Sequence, residues 1–387
     1  SIRQPRNGLA RSEEEARSIA TVVGYPVVVR PSYVLGGRAM EVVFDEQELN
    51  RYMREAVQVE PDHPVLIDQY LENAVEVDVD ALSDQDGNVV IGGLMEHIEP
   101  AGIHSGDSST VLPPFSFSQS VLDQMEEYTE KIAHALNIRG LLNIQFAVKD
   151  DKVYVIEANP RGSRTVPFIC KAYEVPYVNI ATKIMLGTHK LKDFDIVKKP
   201  KGYAIKKPVF SFNKFPNVNK ELGPEMKSTG EVMGFDKNFG MAFAKSQIGA
   251  ANSLPKQGLA FISLKNSHKD EGIDLAKELI KLSFTLCATK GTAEYFRQHG
   301  IKCKIINKVS SGFPHIVDVL DSKKIALVIN TGGGNTEHRL SDAIALRRAT
   351  LKNKVPYCTN MSTAQACLEA IKSLKTRKLE VTSLQDI

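Results

Sequence analysis

Cysteine is scarce in this sequence, and its spacing forms no paired motif. The 387 residues contain five cysteines and no CxxC pair. Because disulfide frameworks and zinc clusters need paired or closely spaced cysteines, we expect neither, and a reducing compartment such as the cytoplasm fits better. Long apolar runs are also lacking: none approaches the roughly 18 residues of a membrane-spanning helix, and no signal peptide is recognisable. We therefore predict a cytoplasmic protein without a membrane partner.

An excess of charge of either sign is missing as well. Lysine and arginine number 49 against 46 aspartates and glutamates, which gives a net charge of +3. A protein that binds nucleic acid electrostatically usually shows a clear basic excess, so we predict no nucleic-acid partner. The motif GxxxxGK[ST] does not occur either, which excludes a Walker-type phosphate loop.

The patterns that are present begin with a region of mixed helices and strands. The Asp150-Asp151 turn indicates a hairpin. Residues 76–81 alternate acidic and apolar side chains, which predicts a strand with one solvated face, and the Gly-, Ser- and Pro-rich residues 99–114 predict a loop. The predicted elements are helices 13–23, 46–58 and 119–136 and strands 27–29, 40–44, 65–67, 76–81, 89–94, 142–148 and 153–156.

A second pattern begins near residue 250, where strands and helices alternate regularly as far as residue 374. This alternation predicts a doubly wound parallel sheet. Between residues 190 and 250, Lys-Pro stretches and scattered aromatics indicate a connecting segment packed across another unit. We therefore predict domains over residues 1–190, 191–250 and 251–387. Because Ser1 is not an initiator methionine, we also expect a chain that is processed or cut from a longer one.

Three oxygen-bearing side chains lie close together on the predicted hairpin. Glu157 and Asn159 are two residues apart on one strand, so they point to the same face, and Gln145 on the partner strand can reach it. Such hard ligands suit Mg²⁺, which keeps coordination positions for phosphate oxygens. Arg161 and Arg164 follow at once and can balance phosphate charge. The alternative is a hairpin that ends in a solvated polar turn.

Two loops add further polar candidates. Residues 30–38 form a Gly-containing segment, which can bring backbone N–H groups close to phosphates or can be a plain hairpin turn. Loops on rigid sheets hold much binding chemistry, although polar loop residues are usually only solvated. His104 can donate a hydrogen bond to an oxyanion at neutral pH. The polar candidates of the loop 99–114 are Glu99, His104, Ser105 and Asp107.

Longer motifs resemble a known family. The segments RPSYVLGGRAMEVV, EVDVDAL, MEHIEPAGIHSGDSS, NIQFAV and VIEANPRGSRTVPF resemble the second ATP-grasp unit of carbamoyl phosphate synthase large chains. The segments FNKFP, LGPEMKSTGEVMGF, ATKGTAEYF and NKVSSGFPHI continue the resemblance into the methylglyoxal-synthase-like regulatory domain of that family. The resemblance covers essentially the whole chain and implies an ATP-grasp fold, without its pre-ATP-grasp domain, followed by a doubly wound parallel-sheet domain.

The resemblance implies an ATP-grasp ligase that phosphorylates carbamate with a second ATP, for pyrimidine and arginine biosynthesis. It implies ATP contacts at Arg30, Gln69, Leu71, Glu76, Gly102, Ile103, His104, Ser105, Gln145 and Glu157. It implies Mg²⁺ or Mn²⁺ ligands at Gln145, Glu157 and Asn159, and bound K⁺ is a further expectation. The residues expected to face carbamate and the transferring phosphoryl group are Arg161, Arg164 and His104.

The second region is expected to bind an effector. Thr289 and Thr292 follow a strand and open a helix, which makes either a phosphate seat or an ordinary helix cap. Gly332 stands where the family has a hydroxyl residue, and methylglyoxal synthase activity is not expected. By resemblance, the nucleotide monophosphate UMP or IMP is held by Lys269, Thr289, Thr292, Lys308, Asn330 and Thr331.

Ornithine is a less favoured effector. In the family its site uses acidic residues matching Glu99 and Asp107 and a threonine matching Thr359, but a third acidic position is Lys207 here. A cation at that position repels the ammonium group of ornithine, so we predict weak or absent ornithine activation. The segment YAIKKPVFSF resembles relatives that depend on N-acetylglutamate, whereas Lys269 and Lys308 favour nucleotide control.

The resemblance implies two protein partners, namely a glutamine amidotransferase small chain and the missing N-terminal part of the large chain. Two other interpretations stay open. The isolated chain can be a non-catalytic nucleotide-binding regulatory module, which predicts UMP binding without turnover. It can also be another ATP-grasp carboxylate–amine ligase, which predicts a different acceptor with nearly the same nucleotide residues.

Overall fold

The protein divides into two compact units in a computed structural model that describes residues 2–31, 39–59, 63–196, 201–212, 222–331 and 337–386. The first unit comprises residues 1–200 and 208–231, and the second comprises residues 201–207 and 232–386. The domain bounds near residues 190 and 250 stay predictions. Residues 32–38 of the predicted glycine loop, and Gly332, lie outside the described residues.

The first sheet of the first unit is small and antiparallel. Its elements are β1 (Asn7–Ala10), α1 (Glu13–Val23), β2 (Val27–Pro31), β3 (Glu41–Val43), α2 (Glu46–Val59) and β4 (Val65–Gln69), and the strand order is β1-β4-β2-β3. Ser12 accepts the Glu15 N–H at the start of α1, and Gly24, at φ 88°, follows its end. Val27 and Val29 on β2 pack into one core with the buried residues of α1 and α2. The predicted helices and strands of this part are confirmed.

The second sheet of the first unit carries the larger core. Its elements are β5 (Val75–Ser83), β6 (Val89–His97), β7 (Thr110–Leu112), α3 (Gln119–Ala135), β8 (Gly140–Lys149) and β9 (Lys152–Asn159), followed by α4 (Val166–Tyr173) and α5 (Tyr177–Met185). These strands have the order β7-β6-β5-β8-β9 and pair antiparallel. The β8–β9 hairpin is confirmed, and Asp150 and Asp151 turn it at φ 51° and 56°.

Two local predictions in this sheet are wrong. The loop predicted over residues 99–114 contains strand β7, because Thr110 and Val111 pair with His97 and Glu96 of β6. Such pairing depends on the partner strand β6 and leaves no mark in a Gly- and Pro-rich composition. The face of β5 predicted to be solvated is largely buried instead, since Asp78 and Asp80 on it are each only 2% exposed.

The second unit contains the parallel sheet. Strands β10 (Tyr203–Val209) and β11 (Gly230–Asp236), through which the division between the units passes, are followed by α6 (Phe239–Gly249). The other elements are β12 (Gly258–Ser263), α7 (Lys269–Lys281), β13 (Phe284–Ala288), α8 (Lys290–Gln298), β14 (Lys304–Ile305), α9 (Ile316–Asp321), β15 (Ile325–Asn330), α10 (Glu337–Lys352), β16 (Tyr357–Cys358) and α11 (Met361–Thr376). The strand order is β14-β13-β12-β15-β16, all parallel, which confirms the predicted doubly wound sheet.

The topology of this sheet brings the ends of several strands together. Strands β12, β13, β14 and β15 run in one direction, so their carboxyl ends meet at one edge, where doubly wound folds bind ligands. Within the part of the chain that the structure describes, no helix is both long enough and apolar enough to cross a membrane.

Candidate functional site

One face of β5 carries a row of acidic side chains. Val77 and Val79 point into the hydrophobic core. Because successive residues of a strand point to opposite faces, Glu76, Asp78 and Asp80 lie on the other face. Asp78 and Asp80 are each only 2% exposed, so this face is covered by protein and the carboxylates need polar partners.

Strand pairing extends this row across the sheet. Residues directly opposite each other in antiparallel strands share a face, so β8 and β9 add their own polar side chains to that of β5. The resulting surface combines carboxylates and carboxamides from three strands. Its paired positions across β5, β8 and β9 are Asp78–Gln145–Glu157 and Asp80–Asn143–Asn159.

A β-bulge at Ile156 decides which residues of β9 reach this face. Phe146 pairs with Val155 but Gln145 pairs with Glu157, so Ile156 is the extra residue. In a regular ladder Ile156 would oppose Gln145, and Glu157 would turn toward the core. The bulge therefore gives Glu157 its place in the polar row.

The three predicted metal ligands are brought together by this geometry. Gln145 is the cross-strand partner of Glu157, and Asn159 Nδ2 donates to Glu157 Oε1 at 2.8 Å. Among the described residues there is no cluster of three or more His, Cys, Asp and Glu side chains able to hold a metal ion, so a cation here also needs the amide oxygens. One carboxylate and two carboxamides fit Mg²⁺ or Mn²⁺, with coordination positions left for phosphate. Their role as ligands stays a prediction.

Arg30 of the first sheet reaches the same face. Its Nε lies 3.3 Å from Asp68 Oδ2, and its Nη1 lies 3.9 Å from Glu157 Oε2. Burial raises the pKa of Asp68, and the charge of Arg30 opposes that rise. Arg30 Nε is buried without a hydrogen-bond partner among the described residues. The guanidinium of Arg30 is thus held beside Glu157, the predicted metal ligand.

A buried histidine links two acidic residues of β5. His97 Nε2 lies 3.1 Å from Asp78 Oδ2, and its Nδ1 lies 3.4 Å from Glu76 Oε2. Burial lowers the pKa of His97, but the two carboxylates outweigh burial and raise it to about 9. His97 is therefore a cation at neutral pH. Glu76 Oε1 also accepts the Gly102 N–H at 3.0 Å, so this predicted ATP contact is held from two sides.

An apolar cluster lies beside Glu76 on the same face. Ala147 on β8 pairs with Glu76 on one side and Tyr154 on the other, which fixes the face. The surface suits the flat ring of a purine base next to a ribose. Gln69 ends β4, and Gly102 and Ile103 follow the cluster in the loop. The cluster consists of Leu71, Ala74, Ala101 and Ala147, with partly buried Tyr154 and Ile156.

His104 is arranged as a hydrogen-bond donor. Its Nδ1 accepts the Gly106 N–H at 3.0 Å. Burial lowers the pKa of His104; Asp107 opposes this effect and Arg164 adds to it. A neutral imidazole whose Nδ1 accepts a bond carries its proton on Nε2, which is then free to donate. Ser105 follows at the start of a short 3₁₀ turn, Ser105–Asp107.

Arg161 and Arg164 lie on the exposed loop between β9 and α4. The Arg161 N–H donates to the Asn159 carbonyl at 2.8 Å, and its guanidinium to the Gly162 carbonyl at 3.2 Å. Arg164 is close enough to His104 to affect its pKa. Arg164 Nη1 also contacts Met226 Sδ, and both arginines are exposed to solvent.

Sequence reasoning missed several residues that build this site. The alternation in EVDVDAL was the available signal, but it was interpreted as a solvated face, and the pairing of β5 with β8 that buries it was not predicted. No sequence pattern indicates that His97 is buried or that Asn143 lies opposite Asp80. The missed residues are Asp68, Asp78, Asp80, His97 and Asn143.

The second unit has a cavity of about 510 Å³ at the carboxyl ends of its parallel strands, which we call the effector cavity. Lys269, Thr289, Thr292, Lys308 and Asn330 of the predicted nucleotide site line it. The sixth predicted residue is not part of the lining: Thr331 Oγ1 accepts the Lys265 N–H at 3.3 Å. The cavity therefore gathers five of the six predicted positions, while their role in binding stays a prediction.

The lining of the effector cavity is basic. Lys265, Lys269, Lys290 and Lys308 border it, and among the described residues none of them forms an ion pair. The carboxylate of Asp342 in the same lining is engaged by the Ser310 N–H and hydroxyl at 2.8 and 2.6 Å. The lining thus keeps positive charge for an anion.

Thr289 is not an ordinary helix cap. Its side chain makes no capping bond to α8; its hydroxyl donates to Thr292 Oγ1 and Ser263 Oγ, each at 3.4 Å. Thr292 Oγ1 also accepts the Leu264 N–H at 3.1 Å. The Thr292 N–H donates to the Thr289 carbonyl at 3.0 Å, so the Lys290 and Gly291 N–H groups are the ones left for another acceptor. Asn330 Nδ2, across the cavity, donates to the Tyr357 hydroxyl at 3.1 Å.

The residues proposed for an ornithine-type effector have structural partners. Both oxygens of Asp107 accept backbone N–H groups, from Lys227 and Ser228 at 2.8 Å. Glu99 is buried and accepts the Ser109 hydroxyl at 3.0 Å. Thr359 and Lys207 belong to the second unit. Ornithine binding stays untested by this geometry.

Comparison with protein families gives two matches. Residues 2–193 match the carbamoyl-phosphate synthase L chain ATP-binding domain, and residues 271–359 match the MGS-like domain. All of the chain aligns with the carbamoyl phosphate synthase large chain, C-terminal section, of Aquifex aeolicus and of Methanopyrus kandleri, at 48% identity in each case. It spans 75% and 72% of those relatives, but 36% of the large chain of Synechocystis, to which it is also 48% identical.

Solved structures show similarity of fold. The biotin carboxylase domain of Hydrogenobacter thermophilus 2-oxoglutarate carboxylase, in complex with MgADP, aligns with 62% of this chain and 60% of its own, at 20% identity and a TM-score of 0.51. Campylobacter jejuni biotin carboxylase covers 64% and 62% at 17% identity and a TM-score of 0.52. With the family matches, these confirm the ATP-grasp fold, the methylglyoxal-synthase-like domain and the ligase class predicted from the sequence.

Proposed function

Because the chain belongs to the family of carbamoyl phosphate synthase large chains, we propose that its first unit phosphorylates carbamate with ATP. A carboxylate oxygen of carbamate attacks the γ-phosphorus, the bond to the β–γ bridging oxygen breaks, and carbamoyl phosphate and ADP result. Phosphoryl transfer asks the protein mainly for positioning and charge neutralisation, and the polar row offers both.

The observation that carries this proposal is the convergence of Gln145, Glu157 and Asn159 on one face with Arg30 beside them. A bound Mg²⁺ or Mn²⁺ would neutralise phosphate charge there. Arg30 would contact the phosphates directly. Arg161 and Arg164, which are exposed next to β9, would orient carbamate and the transferring group by bidentate hydrogen bonds.

The nucleoside part of ATP would lie on the apolar cluster. Leu71 and the rings and methyl groups around it would cover the adenine, with Gln69 at the strand edge. Glu76, fixed by His97 and Gly102, would accept a ribose hydroxyl. The nucleotide-side loop residues would be Gly102, Ile103, His104 and Ser105, with His104 Nε2–H as a donor to phosphate oxygen.

The second unit would bind a nucleotide monophosphate, UMP or IMP, as a regulator. Its effector cavity supports this proposal, because four lysines and the uncapped start of α8 face one space. A phosphate dianion suits such a lining without a metal ion. N-acetylglutamate is the competing ligand, and ornithine is the weaker expectation because Glu99 and Asp107 already hold protein groups.

The proposed partners follow from the length of the relatives. The chain spans only about a third of the full large chains it matches, so we propose that it works with an N-terminal part that carries the other half of the synthase. A glutamine amidotransferase small chain would supply ammonia. K⁺ is part of the proposal, without ligand residues named for it.

The test runs the reaction backward, from carbamoyl phosphate and ADP to ATP, with the full chain and Mg²⁺. We expect ATP formation in the wild type. Glu157→Gln should reduce it by about 10²- to 10³-fold, because the carboxylate charge at the metal position is lost. Glu126→Gln, on the exposed face of α3, is the matched control and should retain full activity.

Two results would contradict the proposal. If Glu157→Gln forms ATP as fast as the wild type, the polar row is not the phosphoryl-transfer site. If the wild type forms no ATP but UMP raises its melting temperature, the chain is a nucleotide-binding module without turnover.

A further inference from the structure

A buried carboxylate ties the exposed arginine loop to the middle of the sheet. Asp80 Oδ2 accepts the Ser163 hydroxyl at 2.9 Å and the Thr165 hydroxyl at 2.6 Å, and its Oδ1 accepts Asn143 Nδ2 at 3.1 Å. The two hydroxyl donors lie 83 and 85 residues further along the chain. Hydrogen bonds to an ionised acceptor are among the stronger ones in proteins, so this is a firm long-range attachment.

The attached loop, residues 160–165, is the one that carries Arg161 and Arg164. Thr165 is buried, whereas both arginines are exposed. The donors therefore alternate with the arginines: Ser163 lies between them and Thr165 follows the second. Ser163 Oγ and Thr165 Oγ1 also lie 2.6 Å apart, and the Thr165 N–H donates to Ser163 Oγ at 3.1 Å. Fixing the two hydroxyls fixes the backbone from which both guanidinium groups project.

We propose that Asp80 is a positioning residue, which holds the Ser163 and Thr165 hydroxyls so that Arg161 and Arg164 are aimed at the substrate anion. The role of the two arginines in this statement rests on the proposed function. Asp80 itself is covered by the loop and touches no substrate. It acts through the loop, in the way that outer partners orient the groups of a catalytic site.

The ionisation of Asp80 agrees with this geometry. Burial raises the pKa of Asp80 to about 6; the bonds from Thr165, Ser163 and Asn143 oppose that rise, and the nearby charge of Asp78 adds to it. At neutral pH the group is therefore a carboxylate, able to accept from both hydroxyls at once.

Substitutions at Thr165 separate positioning from stability. Thr165→Val removes the hydroxyl and keeps the shape, whereas Thr165→Ser keeps the hydroxyl. Thr129→Val is the matched control, because Thr129 is also fully buried and its hydroxyl donates to the Met125 carbonyl at 2.8 Å inside α3. Ser163→Ala is a milder second variant, since the Thr165 bond remains.

We expect Thr165→Val to lower kcat of ATP synthesis from ADP and carbamoyl phosphate by about 10- to 100-fold, with KM for ADP changed less than about twofold. Thr165→Ser should recover most of kcat, and Thr129→Val should leave it unchanged. If the wild type is active and Thr165→Val has the kcat of Thr129→Val, the positioning role is refuted while the proposed function stands.

Limited trypsin digestion of the full chain gives a readout that needs no activity. Trypsin cuts after Arg161 and Arg164, and a detached loop should be cut at least about tenfold faster, because cleavage needs local opening. We expect faster cleavage in Thr165→Val and Ser163→Ala than in Thr165→Ser and Thr129→Val. If the wild type makes no ATP, the proposed function fails and digestion decides alone: equal cleavage in all four variants refutes the attachment.

Discussion

The two candidate sites of this chain use opposite charge for related ligands. In the first unit the polar row is mainly acidic, with Glu76, Asp78, Asp80 and Glu157 on one face and the cations His97 and Arg30 already paired to carboxylates. In the second unit the effector cavity is bordered by four lysines, and its carboxylate Asp342 is engaged by Ser310. At the first surface a phosphate beside Glu157 needs a neighbouring cation, whereas the lysines of the second attract a phosphate directly.

The difference in charge between the two sites implies different ways of binding phosphate. An acidic surface holds a nucleotide's phosphates only through a cation, and the metal that neutralises them also serves transfer. A basic cavity holds a phosphate directly and offers no ion for chemistry. In the proposed function turnover is assigned to the first site and regulation to the second, and the following predictions test this assignment.

Removal of divalent metal should have the largest effect, and only on the first unit. With EDTA present, ADP affinity of the full chain should fall by at least about 100-fold, because the acidic face then meets the phosphates without a cation. UMP affinity should stay within about twofold. Isothermal titration with each nucleotide, with and without Mg²⁺, measures both.

The control for this titration is Glu157→Gln, in which the metal-dependent part of ADP binding should already be weakened. A UMP affinity that depends on Mg²⁺ as strongly as ADP affinity does would break the contrast between the sites.

Loss of a lysine should have an intermediate effect, confined to the second unit. Lys269→Gln or Lys308→Gln should weaken UMP binding by about 10-fold, because a charge-assisted bond to phosphate is lost. ADP-dependent activity should not change. Lys281→Gln, on the exposed side of α7, is the control. Unchanged UMP affinity in both cavity variants would show that nucleotide binds elsewhere.

The charge of His97 should affect the stability of the fold. Because its pKa is raised from 6.5 to about 9 in the folded chain, the charged form stabilises the fold fully below pH 6.5, and this contribution is lost as pH rises through about 9. The melting temperature of the wild type should fall from pH 7 to pH 10 more than that of His97→Gln, by a free-energy difference of up to about 3 kcal/mol.

His134→Gln, an exposed histidine of α3, is the control for that comparison and should follow the wild type. Parallel curves for the wild type and His97→Gln would mean that the buried imidazole carries no charge.

The sequence predicted elements whose signal is local. The β8–β9 hairpin has its turn in Asp150 and Asp151, both at positive φ, and the second unit repeats strand and helix at regular spacing. The pair Glu157 and Asn159 was predicted on one face because the rule of alternation holds within a single strand. The family resemblance supplied the fold class.

Features that depend on pairing between strands could not be predicted in the same way. Strand β7 is three residues long and exists because β6 pairs with it. The burial of Asp78 and Asp80 depends on β8 and on the loop after β9, which lie 60 or more residues away in sequence. The bulge at Ile156 is a property of the ladder, not of the five or six residues around it.

The bulge at Ile156 also decides which residues of β9 are apolar-cluster members and which join the polar row. Neighbouring strand residues normally serve opposite sides, yet Ile156 packs on the apolar cluster while Glu157 joins the polar row next to it. A single residue step along β9 thus sets the separation between the apolar cluster and the polar row. A shortened strand lacking Ile156 would keep Glu157 opposite Gln145 and remove one side chain from the apolar cluster.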